Sequence, residues 1–389
     1  MAKLTEGAGL GTRAIHAGQP PEPTTGAVMV PVFQTSTYAQ PSPGVALGGH
    51  EYARTCNPTR TALQDCIASL EGGKHGVCFS SGLGAVDAIA RMLRPGDRVV
   101  SGDDVYGGTW RLFKKIIEPM GVRCDFIDLN NVALETAIPE GTRLVWLESP
   151  TNPLLKCFDL QVIIDHAHKA GALVAVDNTF ATPIFQRPLE FGADFVLHST
   201  TKYLNGHSDV VGGVVITNSD ALHEQLCFIQ NSVGAVPGPW DCFLTLRGLK
   251  TLHVRMAQHQ RSGMAIAEWL VDHPEVERVH YPLLPSDPNY EIAQKQMSGF
   301  GGMVSFVLKG DLARAEKFVS STRYFTLAES LGGVESLIEL PAIMTHASVP
   351  PENRAELGID DGLIRLSVGI EDLSDLKADL EQAFVASRS

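Results

Sequence analysis

A lysine and an aspartate that follow apolar segments are the residues of this sequence best placed to do chemistry. Lys202 lies just beyond the apolar segment 194–198, and Asp177 ends the apolar segment 172–176. Partial burial lowers the pKa of a lysine and frees its neutral amine for a Schiff base with an aldehyde cofactor. An aspartate at a neighbouring strand end can keep a pyridine nitrogen protonated, so the pair predicts pyridoxal 5′-phosphate (PLP) chemistry.

A glycine- and serine-rich segment predicts a binding site for the phosphate of such a cofactor. Residues 80–84 (SSGLG) lie between a strand pattern over 76–79 and a helix pattern over 85–93. Free N–H groups and the helix dipole at such a junction attract anions. Asp87 occupies the third glycine position of the dinucleotide fingerprint, so we expect a monophosphate site rather than a dinucleotide site. An ordinary glycine-rich connection has the same composition.

Alternating strand and helix patterns over residues 56–250 predict an α/β domain with a large, mainly parallel sheet that binds the cofactor. Residues 251–389 have the patterns of a smaller C-terminal α+β domain. Residues 1–55 are proline-rich, and we expect an N-terminal arm that contacts a neighbouring subunit. Ligands of parallel sheets lie beyond the carboxyl ends of the strands. The candidate residues at or beyond those ends are residues 80–82, Tyr106, Asn152, Asp177 and residues 199–202.

Three further residues could bind anions, although each has a simpler explanation. Tyr52 and Arg54 alternate on an extended segment and therefore point the same way, and an arginine fork suits a phosphate. A surface arginine beside a packing tyrosine has the same spacing. Arg365 lies within the strand pattern 363–368, where it suits a substrate carboxylate if it faces a cleft and is solvated if it faces outward.

The composition excludes several classes of partner. The 389 residues are 44% hydrophobic and 19% charged, and the net charge is −13, which argues against nucleic acid and anionic membranes. Seven widely spaced cysteines without a CxxC motif fit a reducing cytoplasm, with no zinc motif. Residues 1–11 lack the apolar core of a secretory signal, and no apolar segment reaches transmembrane length. We therefore expect a cytoplasmic protein that acts on a small molecule without a metal.

The sequence resembles the PLP-dependent enzymes of cysteine and methionine metabolism. The resemblance extends through nearly the whole chain, in the order of the family's motifs. The matching segments are 52–54, 80–83, 104–109, 148–153, 176–180, 199–209, 326–333, 339–346 and 364–367. The resemblance implies a PLP-dependent transferase fold of the aspartate aminotransferase type (fold type I), assembled as a homotetramer of two active dimers.

The resemblance also implies roles for individual residues. Lys202 forms the imine with the cofactor and shuttles protons, and Asp177 pairs with the pyridinium. Tyr106 stacks on the cofactor ring and transfers a proton to the leaving group. The residues expected to bind the cofactor phosphate are Gly82, Leu83, Ser199 and Thr201, with Tyr52 and Arg54 reaching the phosphate of the partner subunit. The residues expected to bind the substrate are Asn152, Glu329, Ser330 and Arg365.

Within the family, segments 231–237 and 339–346 are most similar to cystathionine γ-lyases. This resemblance implies PLP-dependent γ-elimination of L-cystathionine to L-cysteine, 2-oxobutanoate and ammonia, a step of transsulfuration. Segment 148–155 equally resembles cystathionine γ-synthases, which carry out γ-replacement on an O-acylhomoserine with cysteine. Gly108 stands where methionine γ-lyases typically have cysteine. Glu329 stands where the γ-acting members have glutamate, which argues against a cystathionine β-lyase.

Two other classes of function compete with this interpretation. A NAD-dependent dehydrogenase is disfavoured because Asp87 interrupts the GxGxxG pattern. A non-catalytic scaffold related to metabolic enzymes is disfavoured because Lys202, Asp177 and Arg365 are all present. A purified protein without colour, and without an imine that borohydride reduces, would favour either of these classes.

Overall fold

The computed structural model describes residues 4–5, 7–345, 354 and 357–388. The segment 339–346, used above for the resemblance, therefore ends at His346 outside the described residues. Among the described residues up to position 55, there is one short helix, α1 (Leu10–His16), and otherwise turns, irregular segments and isolated bridges. The predicted limits of the arm and of the two domains stay predictions.

Seven strands form the larger sheet in the spatial order β1-β7-β6-β5-β4-β2-β3. Its strands are β1 (His75–Phe79), β2 (Arg98–Gly102), β3 (Arg123–Ile127), β4 (Leu144–Glu148), β5 (Leu173–Asp177), β6 (Phe195–Ser199) and β7 (Gly213–Thr217). Neighbours are parallel except where β7 pairs with β1 and β6. Both faces of a parallel sheet are covered, which explains the continuous apolar character of these strands. The prediction of a mainly parallel sheet is confirmed.

Helices precede, connect and follow the strands of the larger sheet, and the last of them leads into the second sheet. They are α2 (Pro58–Glu71), α3 (Gly82–Ala90), α4 (Gly107–Leu112), α5 (Leu134–Ala137), α6 (Leu160–Lys169), α7 (Thr182–Phe185), α8 (Asp220–Val233), α9 (Pro239–Leu249) and α10 (Leu252–Val271). A π-helix (Phe113–Ile117) and two 3₁₀ turns (Glu118–Met120 and Pro188–Phe191) complete this set. Helix α2 begins where Asn57 caps the N–H groups of Thr59 and Arg60, and it ends at left-handed Gly72.

Five strands form the second sheet in the order β10-β11-β12-β9-β8. These are β8 (Val276–His280), β9 (Met303–Leu308), β10 (Thr326–Leu327), β11 (Leu337–Glu339) and β12 (Leu363–Ser367), with helices α11 (Tyr290–Gln296), α12 (Leu312–Ser321) and α13 (Leu373–Ala386). Every residue of the central strand β12 is buried. Arg365 lies in the middle of this strand and is 2% exposed, so the solvated alternative for this arginine is wrong.

The segment that carries Lys202 is fastened to the surrounding core by buried polar contacts. Arg255 donates to the carbonyl oxygens of Tyr203 at 2.7 Å and Gly248 at 2.8 Å. The Tyr203 ring is fully buried, and its hydroxyl accepts from the N–H of Gly302 at 3.0 Å. These contacts fix the turn after β6 against α9, α10 and the residues that lead into β9.

Among the described residues, no helix is both long and apolar enough to cross a membrane.

Candidate active site

A cavity of about 450 Å³ lies beyond the carboxyl ends of β4, β5 and β6 and reaches β12. It brings together most of the site residues predicted from the sequence. The predicted residues that line it are Gly82, Leu83, Tyr106, Asn152, Asp177, Ser199, Thr201, Lys202, Glu329, Ser330 and Arg365. The position agrees with the rule that ligands of parallel sheets bind at the carboxyl ends of the strands.

Lys202 has an amine suited to a covalent imine. Its Nζ donates to Ser330 Oγ at 2.7 Å and forms no salt bridge with a carboxylate among the described residues. The pKa of Lys202 is lowered to about 8, mainly because the amine is buried and secondly because the positive charge of Arg365 is near. A substantial fraction of the amine is therefore neutral in mildly alkaline solution. A neutral amine is the form that attacks an aldehyde.

Asp177 ends β5 on the wall of the same cavity. Its Oδ1 accepts from the N–H of Thr179 at 3.0 Å and from the Thr179 hydroxyl at 2.5 Å. Burial raises the pKa of Asp177, whereas the bonds from Thr179 oppose that shift. A cation placed against this carboxylate would favour its ionised form. The side chain therefore suits a protonated ring nitrogen.

The start of α3 and the end of β6 form a narrow cradle for an anion. Ser81 caps α3, and its hydroxyl accepts from the N–H of Gly84 at 2.9 Å. A Cβ on Gly82 would lie 3.0 Å from the Cβ of Ser199, and a Cβ on Gly213 would overlap the Ser81 carbonyl. Glycine is therefore required for this close approach. The helix begins at Gly82, earlier than the predicted 85–93, because Ser81 caps it.

Thr201 forms the side of the cradle next to Lys202. Its hydroxyl accepts from the N–H of Gly212 at 3.0 Å and donates to the Gly212 carbonyl oxygen at 3.3 Å. These bonds fix the hydroxyl at the cavity wall beside Ser199. A lysine suited to an imine, a half-buried carboxylate and an anion cradle thus line one cavity, so the residues present fit PLP.

Tyr106 projects into the cavity from the N-terminus of α4. Its backbone N–H donates to Glu148 Oε2 at 2.9 Å, and burial raises the pKa of its hydroxyl. Glu148 is buried and lies opposite Asp177 in the register of β4 and β5. Burial, reinforced by the charge of Asp177, raises the pKa of Glu148 well above the ordinary range. Glu148 was not predicted as a site residue, although it lies at a strand end within the matching segment 148–153.

Several polar contacts hold the Arg365 side chain at the wall of the cavity. Its Nη1 donates to Asn152 Oδ1 at 2.8 Å, and its Nη2 donates to the carbonyl oxygen of Ser330 at 2.7 Å. Nη1 also lies 2.9 Å from Glu339 Oε1 in a salt bridge that is almost completely buried. Glu339 was quoted within the segment 339–346 but was not predicted as a site residue. Only the strand register shows that it faces Arg365.

Ser330 and Glu329 form part of the cavity wall near Lys202. Ser330 contacts both Lys202 and Arg365, and it has a left-handed backbone with φ 87°. Non-glycine residues in this region are strained, and such strain is concentrated at functional sites. The Glu329 side chain is exposed on the cavity wall, where it adds a negative charge close to Lys202.

Tyr52 and Arg54 lie apart from the other predicted residues. They line a second cavity of about 330 Å³, and the Arg54 guanidinium carbon lies 5.2 Å from the centre of the Tyr52 ring. Arg54 Nε donates to Asn231 Oδ1 at 3.1 Å. Within one chain, the two side chains therefore do not reach the cradle formed by Gly82 and Ser199. Their expected contact with a partner subunit stays a prediction.

Comparison with known proteins adds to this geometry. Residues 11–385 match the family model for the Cys/Met metabolism PLP-dependent enzymes. A cystathionine gamma-lyase of Dictyostelium discoideum is 55% identical over 96% of this chain and 97% of its own length. A cystathionine beta-lyase of Coxiella burnetii is 54% identical over the same shares.

A crystal structure of a similar protein has the same fold as this chain. The cystathionine gamma synthase from Xanthomonas oryzae pv. oryzae, in complex with aminoacrylate and cysteine, has a TM-score of 0.95 and 46% identity. It covers 98% of this chain, which covers 99% of that structure. The predicted fold type I architecture and the PLP cofactor are confirmed. The chain belongs to the PLP-dependent enzymes of cysteine and methionine metabolism.

Proposed function

We propose that the protein is a cystathionine γ-lyase, which converts L-cystathionine and water to L-cysteine, 2-oxobutanoate and ammonia. The observation that carries this proposal is the position of Ser330 between the lysine amine and the arginine fork. Its hydroxyl accepts from Lys202, and its carbonyl oxygen accepts from Arg365. A substrate whose carboxylate is bound by Arg365 therefore presents its Cα close to the amine of Lys202.

The chain's own residues then bind, orient and deprotonate the amino acid. PLP supplies the electron sink that stabilises negative charge at the substrate's Cα. Arg365 and Asn152 fix the α-carboxylate, and this orientation aligns the Cα–H bond for removal. The Lys202 amine, with its pKa lowered to about 8, accepts the Cα proton. After it has given up that proton, the same amine can accept a Cβ proton, because its flexible stem reaches both carbons.

The loss of the γ-sulfur requires a proton donor at the sulfur and a site for the distal half of the substrate. We assign the proton donor to the Tyr106 hydroxyl, since this ring lines the cavity and its raised pKa favours the protonated form. L-Cystathionine carries a second ammonium group at its distal end. Glu329 offers an exposed carboxylate on the cavity wall for that group.

The geometry around Gly108 makes methionine γ-lyase a less favoured alternative. A Cβ on Gly108 would overlap the ring of Tyr106. A cysteine at this position would therefore displace the Tyr106 ring. The presence of glycine fits an enzyme that keeps the ring in its observed place.

The second candidate is a cystathionine γ-synthase, which joins cysteine to an activated homoserine ester. It is favoured by the similarity to the Xanthomonas enzyme over nearly the whole of both chains. γ-Elimination and γ-replacement share the deprotonations at Cα and Cβ, so the same lysine and arginine serve both reactions. The two reactions differ in whether cysteine leaves the site or enters it.

Product analysis on the purified holoenzyme separates the candidates. With L-cystathionine, we expect L-cysteine and 2-oxobutanoate. Homocysteine with pyruvate would instead establish β-elimination and contradict the inference that Glu329 argues against a β-lyase. No cleavage, together with condensation of cysteine and an O-acylhomoserine, would establish the synthase.

We also propose that the enzyme is a cytoplasmic homotetramer in which each active site uses two chains. The proposal is supported by the exposed position of Tyr52 and Arg54, away from the cavity of their own chain. An arginine and a tyrosine are suited to a phosphate that a neighbouring chain holds. Light scattering of the holoenzyme at several concentrations tests the tetramer, and a stable monomer with full activity would contradict it.

A further inference from the structure

The carboxylate of Glu339 lies beside the one cavity arginine that we assign to the substrate's carboxylate. Glu339 and Arg365 are direct partners in the antiparallel register of β11 and β12. Their side chains are 1% and 2% exposed, and Glu339 Oε1 lies 2.9 Å from Arg365 Nη1. A carboxylate at this place competes with the substrate for the same cation. Pairing of Arg365 with the substrate's carboxylate therefore does not by itself explain why Glu339 is there.

The hydrogen bonds of Arg365 show which of its donors remain for a ligand. A guanidinium has five N–H donors in a rigid plane. Nη1 donates to Asn152 and lies 2.9 Å from Glu339 Oε1, and Nη2 donates to the carbonyl oxygen of Ser330. Nε is buried and has no partner among the described residues. Nε and Nη2 share one edge of the guanidinium plane, and this kind of edge can bind a carboxylate as a fork.

The position of Glu339 is itself fixed. The hydroxyl of Thr345 donates to Glu339 Oε1 at 2.9 Å, so the oxygen that forms the ion pair with Arg365 is also held from a second direction. Glu339 Oε2 is buried without a hydrogen-bond partner among the described residues. A buried acceptor without a partner costs free energy, and such a cost persists where the group serves function.

We propose that Glu339 is a positioning residue that engages the Nη1 side of Arg365, so that the Nε–Nη2 edge faces the substrate's α-carboxylate. The proposal rests on the amino-acid substrate of the proposed function, but it does not depend on which bond is cleaved. Its alternative is that Glu339 only balances the charge of a buried arginine. Buried arginines need a counter-charge, so this alternative is physically sound.

Two conservative variants separate geometry from charge. Glu339→Gln keeps the length of the side chain and an oxygen that accepts from Nη1, but it removes the negative charge. Glu339→Asp keeps the charge but withdraws the carboxylate by one methylene group, which breaks the contact with Nη1. Positioning predicts that Glu339→Asp is the more damaging variant. Charge balance predicts the opposite order.

The binding of L-alanine to each holoenzyme is measured through the change in cofactor absorption. Ethylamine, which lacks a carboxylate, is the matched control ligand. We expect Glu339→Asp to weaken the binding of L-alanine at least about tenfold, which is the effect expected when one charge-assisted hydrogen bond is lost. Ethylamine should bind all variants equally, and Glu339→Gln should stay within about threefold of the wild type for L-alanine. In turnover, Glu339→Asp should raise KM while kcat changes little.

Other outcomes contradict the proposal. Weaker binding of L-alanine by Glu339→Gln than by Glu339→Asp would establish charge balance. Equal losses for L-alanine and ethylamine would indicate general damage to the cavity, and unchanged binding in both variants would show that Glu339 does not orient Arg365. L-Alanine has no leaving group at Cβ or Cγ. The result therefore stands even if the enzyme proves to be a synthase or a β-lyase.

Discussion

The two sheets contribute to the cavity in different ways. The seven-stranded sheet supplies residues from strand ends and the turns that follow them, with Asp177 at the last position of β5 and Lys202 beyond β6. The five-stranded sheet supplies Arg365 from the middle of its central strand, where every residue is buried. The first group lies in local turns and caps, although Arg255 and Gly302 also anchor the turn that carries Lys202. The second is held by contacts between segments that are far apart in the chain.

This difference shows how chemistry and recognition are separated in the molecule. The turn after β6 can present a lysine to the cavity, because turns tolerate polar side chains and need no cross-strand partner. A buried arginine on a central strand needs its charge and hydrogen bonds satisfied by specific neighbours. We call the cavity residues from the seven-stranded sheet the first side, and those from the five-stranded sheet the second side. We expect substitutions on the first side to abolish the chemical step, and substitutions on the second side to weaken substrate binding.

The largest expected effect is on the first side. Lys202→Ala should lower kcat by at least about 10⁴-fold, because both the covalent attachment and the proton transfers are lost. Turnover with L-cystathionine and borohydride reduction of the holoenzyme measure this effect. Lys250→Ala is a matched control, since Lys250 is partly buried, donates to the carbonyl oxygen of Ile15, and lies outside the cavity. Normal turnover of Lys202→Ala would overturn the assignment of the catalytic lysine.

An intermediate effect is expected on the second side. Arg365→Lys keeps a positive charge but loses the planar fork, so KM for the amino acid should rise about 10- to 100-fold while kcat falls less. Steady-state kinetics over a wide range of substrate concentration measures the two constants. Arg278→Lys serves as the control, because Arg278 is exposed and pairs with Asp360 at the surface. An unchanged kcat/KM in Arg365→Lys would exclude a role in carboxylate binding.

The smallest effect tests whether the two sides influence each other. The neutral form of Lys202 increases as pH rises through its pKa of about 8, so the rate of PLP uptake by the cofactor-free protein should rise through this pH and level off above it. Arg365→Met removes a nearby positive charge that helps to lower the pKa of Lys202, so the midpoint should move to higher pH. Absorption of the bound cofactor follows the rate. An identical midpoint in both proteins would show that the two sides are electrostatically independent.

The strands and their turns were largely predictable because their signals are local. An apolar segment followed by a polar turn indicates a strand end, and Asp177 and Lys202 are both placed in this way. Helix α2 was predictable from the asparagine before it and the glycine after it. By contrast, Glu148 was missed, since burial opposite Asp177 depends on the register of two strands that the sequence does not specify.

Sequence by itself determined the class of fold, the cofactor chemistry and the residues at the strand ends. Each of these depends on patterns within one short segment, or on motifs in a fixed order. Tertiary structure alone decided that Arg365 is buried, that Glu339 faces it, and that Tyr52 and Arg54 lie away from the cavity of their own chain. The physical reason is that these facts depend on which distant segments pair and pack together. Residues 152 and 365, more than two hundred positions apart, meet only when the two sheets come together.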